Sequence, residues 1–348
     1  KVEHKTLARA LKVLTPSTIL PSRQQLATSL LDASYEDFRS RLMLKVKVKK
    51  VTLTTDGCTD VNGKAVINYV LLAEDTTIFL ESVYTGSESH DAPYLASDIL
   101  RVMELLDFVS IAAVVADNTA TNQLVRSTLQ QKKPKVFFHG CIFHALHLVV
   151  KDLVGRLPWL GQLATDCRKL VRFLKKSQQL CLVLPADTRW GTIERCFSTI
   201  HDSAKILHAF VSSRGFLRAR TKEQKAKRRH AYDTVVAKDF VKKLEKAIEL
   251  LEIISKFEKA FETNTTPPSD VYHVFLTLPE AFRKMEMPIS ELGKIQQILD
   301  ERFNFIYGDA HGVGYILDPR YLGKGMDEDT RGKCQGLHRN VARGRPGE

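Results

Sequence analysis

Val51-Thr52-Leu53-Thr54-Thr55 runs into Asp56-Gly57, and Ser110-Ile111-Ala112-Ala113-Val114-Val115-Ala116 runs into Asp117-Asn118. Both runs are β-branched and apolar and are closed by turn residues, the pattern of strands. If the two are parallel neighbours, their C-terminal ends carry two carboxylates to one edge of a sheet. Hard oxygen ligands converging there suit Mg²⁺ or Mn²⁺, which take one or two carboxylates plus substrate phosphates. A blander reading stands beside this one, because Asp before Gly or Asn also starts an ordinary turn.

The order of elements around these runs defines the topology. Val66–Ala73 and Thr77–Tyr84 read as consecutive strands joined by a hairpin at Glu74-Asp75-Thr76, and with Val51–Thr55 they make an antiparallel meander. Tyr94–Asp107 fits a helix with Leu95, Ile99, Val102, Met103 and Leu106 on one side. The strand ending at Asp117 follows, then a helix over about 119–131, a short strand at Val136-Phe137-Phe138, and a helix over about 142–154. Right-handed crossovers can place the fourth strand beside the first and the fifth beyond it. The expectation is an α/β fold, a ribonuclease H-like mixed five-stranded sheet with flanking helices, plus an all-α region. In it, Val51–Thr55 lies between Val66–Ala73 and Ser110–Ala116.

Before the sheet, residues 1–50 read as helices broken at Pro16 and Pro21; after Cys141 the chain reads as almost entirely helical. Four segments follow: an N-terminal helical segment (1–50), a ribonuclease H-like core (51–200), a helical insertion-type region (201–315), and a stretch (316–348) that ends the core segment in a disordered basic tail.

Composition narrows the class of function. Of 348 residues, 44% are hydrophobic, enough for a large core. No apolar run reaches the ~18 residues of a membrane span, and DNA rather than a membrane is the partner expected below. No signal peptide is visible, although Lys1 is not an initiator Met. Six scattered cysteines read as reduced thiols, favouring an intracellular setting. The net charge of +12 points to a polyanionic partner, nucleic acid first and an acidic membrane surface second. GxxxxGK[ST], GxGxxG and GxSxG motifs are absent, which removes the usual nucleotide-loop and serine-hydrolase chemistries.

Five blocks, in order, resemble those of hAT-superfamily transposases and their host-adopted relatives. Thr54-Thr55-Asp56-Gly57-Cys58-Thr59-Asp60 is similar to the family's DGWT block, with Cys58 in place of Trp. Val115-Ala116-Asp117-Asn118-Thr119-Ala120-Thr121-Asn122 resembles TDNASN. Cys141-Ile142-Phe143-His144-Ala145-Leu146-His147-Leu148 resembles CxAHxLNL, with His147 where Asn is common. Asp187-Thr188-Arg189-Trp190 resembles the TRW block and Leu317-Asp318-Pro319-Arg320-Tyr321 the LDPRY block.

The resemblance implies a core that cleaves DNA and transfers strands with three acids and divalent metal. Asp56 and Asp117 fall on the first two, as catalytic residues and metal ligands for Mg²⁺ or Mn²⁺. The family's third acid, a Glu in an SERxFS-like block, lies beyond this sequence. Glu194-Arg195-Cys196-Phe197-Ser198 looks similar, but it belongs to the helix after the TRW block. The C-terminal dimerisation region through which self-association would run, and a BED-type zinc finger, are also absent from the sequence. A transposase-derived, DNA-binding protein with a nuclear location is therefore expected, degenerate in catalysis for want of the third acid. The alternative is a non-catalytic DNA- or protein-binding module derived from one.

The remaining motifs divide between bland and functional readings. Cys141 and His144, at i and i+3, face one side of a helix; packing or contact with a DNA end suits them better than zinc, for which no fourth ligand is at hand. Nor do they make a convincing thiol nucleophile and base. Trp190 could stack on a flipped base beside Arg189, or be half-buried core. Arg214–Arg229 holds eight basic residues against one Glu, and is either a phosphate-binding arm, with Arg220, Lys225, Arg228 and Arg229 as contacts, or a solvated loop.

Overall fold

The computed structural model describes residues 4–17, 19–47, 49–74, 76–86, 90–174, 182–185, 191–261 and 266–342. Three helices lead in, α1 (Lys5–Leu14), α2 (Arg23–Ala27) and α3 (Ser29–Val46); Pro16 and Pro21 lie between α1 and α2, and Thr28 alone lies between α2 and α3. Ser22 caps α2 with a reciprocal bond pair, accepting from the Gln25 N–H while Gln25 accepts from its own.

The sheet then forms from β1 (Lys50–Thr59), β2 (Ala65–Ala73), β3 (Thr76–Tyr84), β4 (Ser110–Ala116) and β5 (Phe137–Gly140), in the order β3-β2-β1-β4-β5. β1 pairs antiparallel with β2 and parallel with β4, and β4 pairs parallel with β5. α4 (Ala92–Leu105) makes the crossover from β3 to β4, and α5 (Ala120–Lys132) that from β4 to β5. The fold is therefore the ribonuclease H-like mixed sheet, with Val51–Thr55 between the two neighbours expected of it.

Alternation explains the inner face. Val51 and Leu53 of β1 and Ile67, Tyr69 and Leu71 of β2 are buried with Ile99 and Val102 of α4 and Val125 and Leu129 of α5. Side-chain caps start the two crossover helices: Asp91 accepts from the Tyr94 N–H at 2.9 Å and Thr119 from the Asn122 N–H at 3.1 Å.

One local reading changes. Asp56-Gly57 is not a turn. β1 continues to Thr59 because its distal half still pairs with β2, Asp56 opposite Asn68 and Thr59 opposite Ala65. The reversal comes at Asp60, whose carboxylate accepts the Asn62 and Lys64 N–H groups, both at 2.8 Å, with Gly63 at φ +77°.

The helical part comprises α6 (Ile142–Arg156), α7 (Pro158–Leu174), α8 (Gly191–Asp202), α9 (Ala204–Val211), α10 (Lys222–Val236), α11 (Phe240–Phe261), α12 (Pro268–Arg283), α13 (Ile289–Ile306), α14 (Asp309–Leu317) and α15 (Glu328–Ala342). Its core is continuous from Leu146 and Leu153 of α6 through Phe197 and Ile200 of α8 to Leu251 of α11 and Leu299 of α13. Ile200, at the expected end of the core segment, lies inside this cluster.

The stretch after Tyr321, read as a polar tail, folds as α15 up to Ala342. Asp327 accepts the Thr330 N–H at 2.8 Å to start it, and Cys334 is buried against α14, where a Cβ on Gly312 would lie 2.4 Å from its sulfur. The LDPRY block is a clasp between α14 and the start of α12. Asp318 accepts from Ser269 Oγ at 2.6 Å, Arg320 reaches Asp270 at 2.7 Å, and Tyr321 donates to Asp270 at 2.8 Å.

Candidate functional site

The site lies where β4 stops and β1 runs on. Thr54 pairs with Val115, and Asp56 and Asp117 each follow their paired residue by two. Adjacent strands run about 4.8 Å apart, so this shared level sets the two acids side by side at the sheet edge. Their electrostatics agree. The Asp56 carboxyl is raised above the ordinary carboxylate range, first by desolvation and then by the charge of Asp117, while His144 pulls it back down. Two carboxylates that repel in this way are a natural seat for a cation.

The loop after β4 is held by the rest of its own sequence block. Asn122 Nδ2 donates to Asp117 Oδ1, fixing the carboxylate from the first turn of α5. Asn118, buried, donates to the Cys141 carbonyl at 2.5 Å and accepts from Arg126 at 3.1 Å. Arg126 also donates to the Phe305 carbonyl at 2.9 Å, tying the site to the end of α13. Gly140 passes this network so closely that a Cβ there would sit 1.8 Å from Asn118 Oδ1. The sequence reading missed Asn118, Asn122, Arg126 and Gly140 as supports. An arginine set between the core positions Val125 and Leu129 was the available signal.

Opposite this loop is the first turn of α6. His144 is half-buried and close enough to Asp56 to act on its titration. Cys141, at the N-cap, has its thiol pushed up by burial, with Asp56 and Asp117 adding to the shift. A shift in that direction disfavours the thiolate that a nucleophilic cysteine needs. His147, one turn on, faces Glu258 of α11 at 3.4 Å, and burial pushes its own pKa down. Among the described residues, no three His, Cys, Asp or Glu side chains converge to hold a metal. A cleft of about 330 Å³ opens beside Asp117, lined among others by Thr55, Gly57, Thr119 and Asn122.

The other expected site residues are dispersed. Arg189 and Trp190 lie outside the described residues. The basic run is helical from Lys222 onward rather than a loop. Lys225 and Arg220 are exposed. Arg228 is committed to structure, donating to the Phe216 carbonyl at 2.8 Å and the Arg218 carbonyl at 2.6 Å, and stacking over Phe216. Arg229 pairs with Asp233 at 3.0 Å. Of the acids that could stand in for a third carboxylate, Asp152 is held by Arg302 at 2.7 Å, and Glu194 accepts from Ser255 of α11 at 3.4 Å.

Residues 21–170 match the family described as "Domain of unknown function (DUF659)", a segment that runs from the lead-in to α2 through the whole sheet and into α7. No curated protein matches the chain. Among solved structures, the chain is similar to the "Drosophila P element transposase strand transfer complex", at 12% identity and a TM-score of 0.31, over 97% of this chain and 89% of that one.

Proposed function

We propose that this chain is a transposase-derived DNA-binding protein whose ribonuclease H-like core keeps an acidic pair, Asp56 and Asp117, for one Mg²⁺ or Mn²⁺. The observation that carries the reading is the shared level of the two acids on parallel neighbours, with the repulsion that raises Asp56. Asp117, oriented by Asn122, and Asp56 would be the metal's protein ligands, and the metal would supply charge neutralisation for a phosphate brought to the sheet edge. His144 stands on the same side and would contact the DNA end. Exposed Arg220 and Lys225, with a net charge of +12, would add phosphate contacts further out.

Two carboxylates alone hold such a metal weakly, and cleavage by positioned metal calls for a fuller set. The described residues therefore favour DNA binding over strand cleavage. Nuclear location follows from that reading. Fluorescence anisotropy with labelled duplex, in Mg²⁺ and in EDTA, paired with a nicking assay, tests it. Salt-sensitive binding without nicking is expected. Absence of binding at low salt would remove DNA as the partner, and Mg²⁺-dependent nicking lost in Asp56→Asn would replace the binding module with an active nuclease.

A further inference from the structure

Several exposed cations of the helical part have an acid four residues away on the same stretch of chain. Arg229 pairs with Asp233, Lys243 with Asp239 at 2.6 Å and Lys256 with Glu252 at 3.5 Å. Lys169 and Arg172 of α7 differ. Both are exposed, and among the described residues their side chains have neither an ion pair nor a hydrogen bond. Three residues apart on a helix, they are neighbours on one face, and their like charges repel.

The two line a cleft of about 550 Å³ whose other side is α10, with Lys227 and His230, again three residues apart. Phe173 also lines it, fixed edge to face against Phe216 with ring centroids 6.1 Å apart. Ala226 and Ala231 of α10 are small and leave the space open. None of the described lining residues is acidic. The nearest acids are already engaged, Glu223 with Lys227 at 2.5 Å, and Asp166 with Gln162 at 3.0 Å and with His230 at 3.6 Å. Cations gathered from two helices without matching acids cost the fold self-repulsion, which a bound polyanion removes.

We propose that this cleft is a second seat for DNA, taking the phosphodiester backbone on Lys169, Arg172 and Lys227. It shares no described lining residue with the cleft beside Asp117. The proposal rests on the DNA-binding reading above and adds where the backbone meets the helical part. Each strand of a duplex carries one phosphate per ~3.4 Å of axis. Lys169 and Arg172 are spaced about 4.5 Å along α7 at the helical rise, a step their long side chains can match to neighbouring phosphates. Phe173 offers an apolar surface to the sugar. Cations on both sides of the cleft with an aromatic between them suit a strand rather than one small anion.

Lys169→Gln/Arg172→Gln in the 348-residue chain tests this, with Arg283→Gln/Lys284→Gln on α12 as a control of equal charge change. All four side chains are exposed, so both variants should keep the melting temperature of the parent. In anisotropy titrations of a labelled duplex, the cleft variant should bind at least ~10-fold more weakly at low salt, and its log–log salt slope should flatten by about 0.9 for each phosphate released. The control should follow the parent. Ala226→Glu, which sets an acid in the cleft at an exposed helical position, should weaken binding as well. Acetylation footprinting of the parent needs no substitution: the duplex should protect Lys169 and Lys227 and leave Lys284 reactive. A parent that binds no duplex at low salt would remove the DNA reading and this seat with it. A parent that binds, with an unchanged slope in the cleft variant or with Lys169 still reactive, would overturn the seat alone. Labelled polyglutamate bound as tightly as the duplex, and lost equally in the cleft variant, would assign the cleft to an acidic polypeptide instead.

Discussion

Asp56 and Asp117 stand at one level of the sheet, each two residues beyond the paired Thr54 and Val115, and the charge of Asp117 helps to raise the Asp56 carboxyl. A carboxyl whose folded pKa is raised contributes stability only below its titration and withdraws it as pH rises through that value. At neutral pH the pair therefore costs the fold something, the usual mark of a site kept for function. Asp56→Asn should raise the melting temperature at pH 7, and the gain should shrink as pH is lowered toward the carboxylate range. Thermal unfolding across that range is the check. A variant less stable than the parent at pH 7 would mean the Asp56 charge is structural.

The sheet was legible because its signals are local and repeated. β-branched runs, alternation and two helical crossovers leave few topologies, and the order β3-β2-β1-β4-β5 is the one they allow. What escaped were effects of pairing partners far along the chain. Asp56-Gly57 has the composition of a turn, but β2 offers partners for β1 as far as Thr59. The polar sequence after Tyr321 has the composition of a tail, but Cys334 finds a glycine-made recess on α14. Arg228 looked like a phosphate contact in a basic run. Its guanidinium instead closes the turn before α10, a role fixed by carbonyls ten and twelve residues away.

That division of the basic run gives a second expectation. Arg220→Gln and Lys225→Gln should leave stability unchanged and flatten the salt dependence of DNA affinity, by about 0.9 in log–log slope for each phosphate no longer neutralised. Arg228→Gln should instead lower the melting temperature, because it leaves two carbonyls without their donor. Anisotropy titrations from low to moderate salt, with melts in parallel, separate the two. An equally flattened slope in all three would return Arg228 to the binding surface.

Gly140 tests the support beneath Asp117. A Cβ there would meet Asn118 Oδ1 at 1.8 Å and Arg126 Nη1 at 2.4 Å, so the network must break or move. Gly140→Ala should cost about 3 kcal/mol in chemical denaturation, the range of a crowded core. Gly57→Ala, with nothing within 4 Å of the added carbon, is the matched control and should be close to neutral.

A histidine pair, His311 buried and His139 half-buried, is expected to govern the response to acid. His139 on β5 and His311 on α14 meet edge to face with ring centroids 4.8 Å apart. Burial pushes His139 down to about 4 and His311 well below its ordinary value. Both stay neutral in the fold at a pH where the unfolded chain protonates them. Stability is therefore full above about 6.5 and falls as pH drops toward 4, by up to about 1.4 kcal/mol per pH unit for each histidine. Between pH 6.5 and 5, His139→Gln should reduce that slope whatever it does to stability at pH 7. An unchanged slope would place the acid sensitivity elsewhere.

Whether Asp56 and Asp117 act as one site for a divalent cation is measured directly by calorimetric titration of Mn²⁺ into the parent, Asp56→Asn and Asp117→Asn. One weak site is expected in the parent, abolished by either substitution alone and competed by Mg²⁺. Binding that survives in Asp56→Asn, or a parent that takes up no Mn²⁺ at millimolar concentration, would contradict the shared site.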